Sequence, residues 1–220
     1  SCDTEVLVHL YEDHGTELVH ALEGMYAFAI WDAARRQLVL ARDRFGEKPL
    51  FYAQSGGRLI FASELTALRS GMTTPLDDVD PAALDAFFLF GYVPGPGTLL
   101  CGAQQLPPGH LLEWQPGRAP RVRRYWAPPP VSAGPGAELG ELRDETRSLL
   151  SESVGSRMIA DVPLGVFLSG GVDSTLIAAL AQERSSKPVR TFTVGYDVGA
   201  VSELEPAREA ARRLGTRHQE

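Results

Sequence analysis

The sequence predicts two folding units of different class, an α+β half followed by an open α/β half, and three observations carry that reading. Two pairs of strings between residues 25 and 63 alternate or cluster apolar side chains as antiparallel strands do. The stretch 127–137, APPPVSAGPGA, cannot hold regular structure and has the composition of an interdomain linker. Beyond it the order strand, glycine loop, helix, strand, helix is that of a parallel sheet built from crossover units.

With 220 residues the chain can bury two small cores. A hydrophobic fraction of 44% and a charged fraction of 22% exclude a disordered or fibrous chain. No apolar run is long enough to span a bilayer, so no membrane partner is expected. A net charge of -7 argues against a nucleic-acid surface, which needs clustered Lys and Arg. Cys2 and Cys101 stand far apart in no CxxC spacing, offering neither a disulfide framework nor a zinc cluster, and the expected compartment is a reducing cytoplasm. With no initiator Met and no signal peptide, and with residues 214–220 stopping just after a helix, the chain reads as an excerpt of a longer one.

The first unit opens with a helix from Asp3 as N-cap through Tyr11, apolar along Val6, Leu7, Leu10 and Tyr11 and ended by Gly15. A second short helix reaches Gly24. MYAFAIWD and RRQLVLARD then read as two strands around a polar turn at 33–37, and PLFYA and RLIFAS as a second pair joined through Gly56 and Gly57. Asp80-Pro81 is a cap followed by a first-turn proline, opening a helix that Gly91 closes. The Pro- and Gly-rich segment after it is loop as far as the strand HLLEW.

In the second unit, Glu138–Arg157 has leucines at helical spacing, Pro163–Leu168 is a strand, and a helix carrying Leu176, Ile177 and Leu180 follows the loop Ser169–Ser174. Val189–Tyr196 is the next strand and Glu203–Leu214 the next helix.

The chemistry is concentrated in that loop. A glycine turn between a buried strand and a helix presents backbone N–H groups and the positive end of a helix dipole, where phosphate is the natural ligand. Gly170 and Gly171 keep β-carbons out of the way, while Ser169 and Ser174 can donate further hydrogen bonds. Asp173 would repel a phosphate unless a cation lay between them, so it marks a Mg²⁺ position. The bland alternative is a ligand-free strand-to-helix turn, which the full SGGVDS string in its strand–loop–helix setting disfavours. No GxxxxGK[ST] string is present, so this is not a Walker A loop.

LSGGVDS resembles the pyrophosphate loop of the N-type ATP pyrophosphatases. The longer string ADVPLGVFLSGGVDSTLIAAL, from Ala160 to Leu180, is similar to the glutamine-hydrolysing asparagine synthetases, which more often carry Ser at the position of Ala160. TFTVGY resembles the second strand of their synthetase domain, whose valine meets adenine through its backbone, which implies that role for Val194; Leu168 has the same kind of role in the family. LGTRHQE matches the segment after it. DTEVLVHLYEDHG, LEGMYAFAIWD, LARDRFGEKPLFYA and FASELTAL resemble the later half of a class II glutaminase domain, and GYVPGPGTL and LPPGH the passage out of it.

The resemblance implies the C-terminal half of an Ntn-type αββα glutaminase sandwich, residues 1–126, then the linker 127–137, then the start of an ATP pyrophosphatase domain, residues 138–220. It implies ATP and Mg²⁺, with glutamine and aspartate as further substrates, and leaves a homodimer open. ATP and pyrophosphate would be held by Leu168, Ser169, Gly170, Gly171, Asp173, Ser174 and Val194, and Mg²⁺ by Asp173. Asp3 would take the glutamine α-ammonium, against the plain reading of a helix cap. Two departures limit the transfer. Cys2 is followed by Asp-Thr-Glu-Val and falls where Ser is usual, so it is not the nucleophile, which is expected upstream, and these 220 residues alone are expected to lack glutaminase activity. Ser202-Glu203 stands where many relatives carry Asp-Glu, and its role stays open.

The alternatives are a lactam-forming relative with the same loop and a non-catalytic binding module. His9, His14, His20, His110 and His218 show no metal-ligand spacing. Arg42, Asp43 and Arg44 read as structural ion pairs at a strand end, Arg35 and Arg36 as solvated turn residues, and Trp31, Trp114 and Trp126 as core or interface residues.

Overall fold

Alternation of apolar residues makes the strings around residues 25–42 a hairpin, and Asp32 organises its turn. In the computed structural model, which describes residues 3–72, 78–131, 136, 138–195 and 202–220, β1 (Ala27–Asp32) runs antiparallel to β2 (Gln37–Arg42), with Ala27 opposite Arg42 and Asp32 opposite Gln37. The Asp32 carboxylate accepts the Arg35 backbone N–H and the Arg35 Nη1, both at 2.9 Å, and the Tyr11 hydroxyl at 3.2 Å. Arg35 is therefore paired within its turn and not merely solvated. In the second hairpin β3 (Phe51–Ser55) meets β4 (Arg58–Ala62) through Gly56 and Gly57, whose φ of +57° and +74° suit the primed turns that match strand twist.

The chain divides into two units, Ser1–Pro130 and Val131–Glu220. In the first, β6 (His110–Trp114) pairs with β2, and β7 (Arg121–Arg124) with β6, giving the sheet β1-β2-β6-β7. A second sheet has the order β4-β3-β5, with β5 spanning Ala103–Gln105. Leu38, Leu40 and Leu112 from the first sheet pack with Leu50, Tyr52 and Leu106 beside the second. The outer face of the first sheet is covered by α1 (Asp3–His14) and the 3-10 turn Gly15–His20, whose Leu7, Leu10, Leu18 and Val19 pack on Ala41 and Leu111. On the far side α2 (Leu65–Ser70) sets Leu68 against Ala53 and Ala103. Helix, sheet, sheet, helix is the αββα sandwich that the sequence leads one to expect.

Several details differ from expectation. Helix α1 runs to His14, and its packed stripe is Leu7, Leu10 and Tyr11, with Val6 52% exposed, because i, i+3 and i+4 share a face and i−1 does not. The short helix expected to reach Gly24 is a 3-10 turn ending at His20. Helix α3 (Pro81–Phe90) has its Asp80 cap, accepting from the N–H groups of Ala82 and Ala83, and its left-handed Gly91 at φ +78°. Trp31 is 51% exposed and not a core residue, whereas Trp114 packs on the inter-sheet cluster and Trp126 lies edge-on to Phe45.

Arg42 and Asp43, both buried at the end of β2, do not serve as an ion pair at a strand end but as backbone clamps. The Arg42 guanidinium donates to the carbonyls of Lys48, Leu106 and Gly46, each at 2.7 Å. Asp43 accepts the N–H groups of Phe45, Glu47 and Lys48 at 3.1, 2.9 and 2.9 Å. Burial pushes the Asp43 carboxyl up, but the backbone donors outweigh it and hold its pKa below the ordinary carboxylate value. We expect Asp43→Ala, which orphans these donors, to cost on the order of 3 kcal/mol at pH 7, read by denaturant unfolding. A carboxylate with a lowered native pKa contributes stability above its unfolded value of about 3.9, and loses it as pH falls through the native one. The gap between the two proteins should therefore narrow in acid, and a gap unchanged from pH 7 to pH 2 would contradict this account.

In the second unit α4 (Leu139–Arg157) precedes β8 (Gly165–Phe167), α5 (Val172–Arg184), β9 (Arg190–Phe192), α6 (Leu204–Leu214) and β10 (Arg217–Gln219). The sheet is parallel in the order β10-β9-β8. Helix α5 is the hub: Leu180 and Ala181 pack with Val154 of α4 and with Val189, and Ala178 packs with Leu168 and with Ala207 and Ala211 of α6. The last residues do not stop after a helix, as expected, but enter β10. The expected strand 189–196 is shorter, and Tyr196 lies outside the described residues.

Candidate functional site

The carboxyl end of β8 delivers the chain into the loop. Gly170 takes φ +78°, and a β-carbon there would lie 2.5 Å from the Pro206 carbonyl carbon and 2.6 Å from the Ala207 nitrogen, so the loop turns directly against the backbone of α6. Gly171, in extended backbone at φ -71°, is the N-cap of α5. Its carbonyl accepts from Thr175 at 3.1 Å, so the N–H groups of Val172, Asp173 and Ser174 precede the first helical bond, and no side chain caps them. The result is a helix start whose first three N–H groups have no acceptor within the helix.

Ser169 and Ser174 are brought together. Their hydroxyl oxygens lie 2.9 Å apart, and the Ser174 Oγ also accepts the Ser169 N–H at 3.2 Å. The Ser169 Oγ accepts the Gly171 N–H at 3.3 Å. The hydroxyls expected to reach outward thus bond to each other, holding the loop in shape. Asp173 is exposed in the first turn of α5. Among the described residues no cluster of three His, Cys, Asp or Glu could enclose a metal. An ion at Asp173 would thus need oxygens from a phosphate ligand and water, the usual arrangement for Mg²⁺.

Leu168 and Val194 lie at the ends of adjacent strands. Leu168 is 1% exposed, its N–H donates to the Phe192 carbonyl at 2.8 Å, and its carbonyl accepts the Thr193 hydroxyl. Val194 is 65% exposed just beyond β9. The order of strands thus puts Leu168, the loop and Val194 along the carboxyl edge of one parallel sheet, where open α/β folds hold nucleotides. Ser202 and Glu203 start α6: the Ser202 Oγ accepts the Leu204 N–H at 3.4 Å and the Glu203 carbonyl that of Ala207 at 3.1 Å.

In the first unit Asp3 lines a groove of about 1050 Å³ between α1 and β1, with Leu7, Tyr11, Tyr26 and Trp31 among its walls. Its Oδ1 accepts the N–H of the adjacent Thr4 at 2.8 Å, and Asp3 is the first residue of α1 and not, as expected, its N-cap. Cys2 lies outside the described residues, and Cys101 is an exposed free thiol. Sequence reasoning passed over Tyr125, whose hydroxyl donates to the Arg42 carbonyl at 2.6 Å and meets the Tyr26 hydroxyl at 2.9 Å, and Thr193. Tyr125 sits in no recognisable string, and Thr193 lies within TFTVGY without standing out by type; burial and pairing single them out.

Comparison with known proteins assigns both units. The glutamine amidotransferase domain family matches residues 1–126, and the asparagine synthase family matches residues 145–220. A putative glutamine-hydrolysing asparagine synthetase of Mycobacterium bovis is 38% identical over 98% of the chain, and asparagine synthetase 1 of Bacillus subtilis is 36% identical over 97%. The chain spans about a third of the length of these curated relatives, 34% and 33% respectively. A solved glutamine phosphoribosylpyrophosphate amidotransferase from B. subtilis superposes with a TM-score of only 0.39 at 14% identity, covering 98% of this chain and 63% of the other. These matches define a glutamine amidotransferase domain followed by part of an asparagine synthase domain. The chain belongs to the glutamine-hydrolysing asparagine synthetase family.

Proposed function

We propose that the full-length protein uses ATP to activate aspartate and amidates it with ammonia from glutamine, releasing asparagine, AMP and pyrophosphate. The observation that carries this reading is the loop 169–174, with an uncapped helix end, two glycines and one exposed carboxylate at the edge of a parallel sheet. A carboxylate is a poor electrophile. Attack of the aspartate β-carboxylate oxygen on the α phosphorus makes a β-aspartyl-adenylate and expels pyrophosphate, whose charge the N–H groups of Val172, Asp173 and Ser174 stabilise. Ammonia then adds to the acyl carbon, and AMP leaves with the carboxylate oxygen.

Mg²⁺ bound through Asp173 would neutralise the departing pyrophosphate. Leu168 and Val194 orient the base through their backbone groups, and Asp3 takes the α-ammonium of glutamine in the first unit. None of the described residues is proposed as the nucleophile of glutamine hydrolysis. Unit 1–126 is the glutaminase part, 127–137 the linker and 138–220 the synthetase part. Among the described residues no helix is long and apolar enough to cross a membrane, which fits a cytoplasmic enzyme.

Product analysis tests the reading. Full-length protein given labelled aspartate, ATP and glutamine should yield labelled asparagine with one AMP per amide. Should aspartate give no product while a larger amino-acid-like substrate closes to a lactam, the activation chemistry would stand and the acceptor would be wrong. Absence of any ATP consumption would favour a binding module.

A further inference from the structure

We infer that Thr193 is a positioning residue for the nucleotide, its hydroxyl setting the spacing between the strand end that meets the base and the loop that meets the phosphates. This rests on the ATP reading above. Thr193 is 6% exposed, its hydroxyl donates to the Leu168 carbonyl, and its N–H donates to the Gln219 carbonyl at 3.0 Å. The Leu168 N–H in turn donates to Phe192 at 2.8 Å. One side chain and its backbone thus tie together the carboxyl ends of all three strands, at the edge where an open parallel sheet holds its ligand. The bond sits one residue before Val194 and one before Ser169, so any slip between β8 and β9 moves the two ends of the nucleotide site apart.

The fold alone does not ask for a threonine here. Valine has the same branched shape, is favoured in strands and carries no hydroxyl to desolvate. Thr191, two residues earlier and fully buried, provides a control, because its hydroxyl faces the other way along the sheet: it bonds the Thr216 hydroxyl at 2.9 Å and His218 Nδ1 at 3.0 Å, and none of its partners belongs to the loop.

The test uses full-length protein carrying Thr193→Val, Thr193→Ser or Thr191→Val. Exchange of labelled pyrophosphate into ATP gives KM for ATP and kcat separately, and the rise in melting temperature on adding ATP with Mg²⁺ reports binding without turnover. Losing one buried hydrogen bond predicts that Thr193→Val raises KM for ATP about tenfold and shrinks the ATP-induced rise, with kcat changed less than about threefold. Thr193→Ser, which keeps the donor, should stay within about twofold of the unaltered protein. Thr191→Val should lower the melting temperature and leave KM for ATP alone. An unchanged KM in Thr193→Val overturns the inference, as does equal damage from Thr193→Ser or an equal rise from Thr191→Val, either of which would mean general loosening of the sheet. If the unaltered protein neither exchanges pyrophosphate nor is stabilised by ATP, the ATP reading itself fails and takes this inference with it.

Discussion

Asp173→Asn is expected to cut exchange of labelled pyrophosphate into ATP by about 100-fold to 1000-fold in the full-length protein, while glutamine hydrolysis continues. The reason is electrostatic. Asp173 stands exposed in the first turn of α5, beside N–H groups that attract an anion, so a carboxylate there is tolerable beside phosphate only with a cation between them. Asparagine keeps the shape and removes the charge that would hold the ion. Ser169→Ala is a smaller change, because the Ser169 hydroxyl is engaged with Ser174 and the backbone donors of the loop remain. If Asp173→Asn left exchange intact at saturating Mg²⁺, or silenced the glutaminase and spared exchange, the division of labour between the two units would be wrong.

Gly170→Ala should be as damaging, through geometry alone. Its φ of +78° disfavours any side chain, and the new carbon would lie 2.5 Å from the backbone of Pro206, which cannot yield as a flexible side chain would. The loop would have to leave α6, carrying Ser169 and the first turn of α5 with it, and pyrophosphate exchange should fall below detection. Gly171→Ala is the matched comparison: at φ -71° with only the Ser169 hydroxyl at 3.3 Å, the backbone can stay where it is. Equal activity in Gly170→Ala and the unaltered protein would mean that the loop is not held against α6 as described.

The parts of the fold legible in the sequence are those whose signal is local. The hairpins announce themselves by alternation and by Gly56-Gly57, and α3 by its cap and its closing glycine. The strand–loop–helix setting of residues 169–174 could be read in the same way, because it is set by residues adjacent in sequence. What escaped the sequence is set by pairing across the chain. Strands β5, β7 and β10 have three or four residues; β7 is Arg121-Val122-Arg123-Arg124 and β10 is Arg217-His218-Gln219, charged or polar as outer strands of a sheet tend to be, and no alternation can emerge over such lengths. Helix α2 has six residues and no side-chain cap. Arg42 and Asp43 looked like partners because they are adjacent and opposite in charge, whereas Arg42 ends β2 and Asp43 enters the turn after it, and each found backbone groups instead. Thr193 could not be distinguished from Thr191 by type or position; only their partners separate them.

The central claim is adenylation, and the fate of one oxygen tests it most directly. Full-length protein is supplied with ATP, glutamine and aspartate labelled with ¹⁸O in its β-carboxylate, and the nucleotide and phosphate products are analysed by mass spectrometry. Attack on the α phosphorus predicts that one ¹⁸O appears in each AMP formed, with none in pyrophosphate. Label found in inorganic phosphate alongside ADP would show attack on the γ phosphorus and contradict the account.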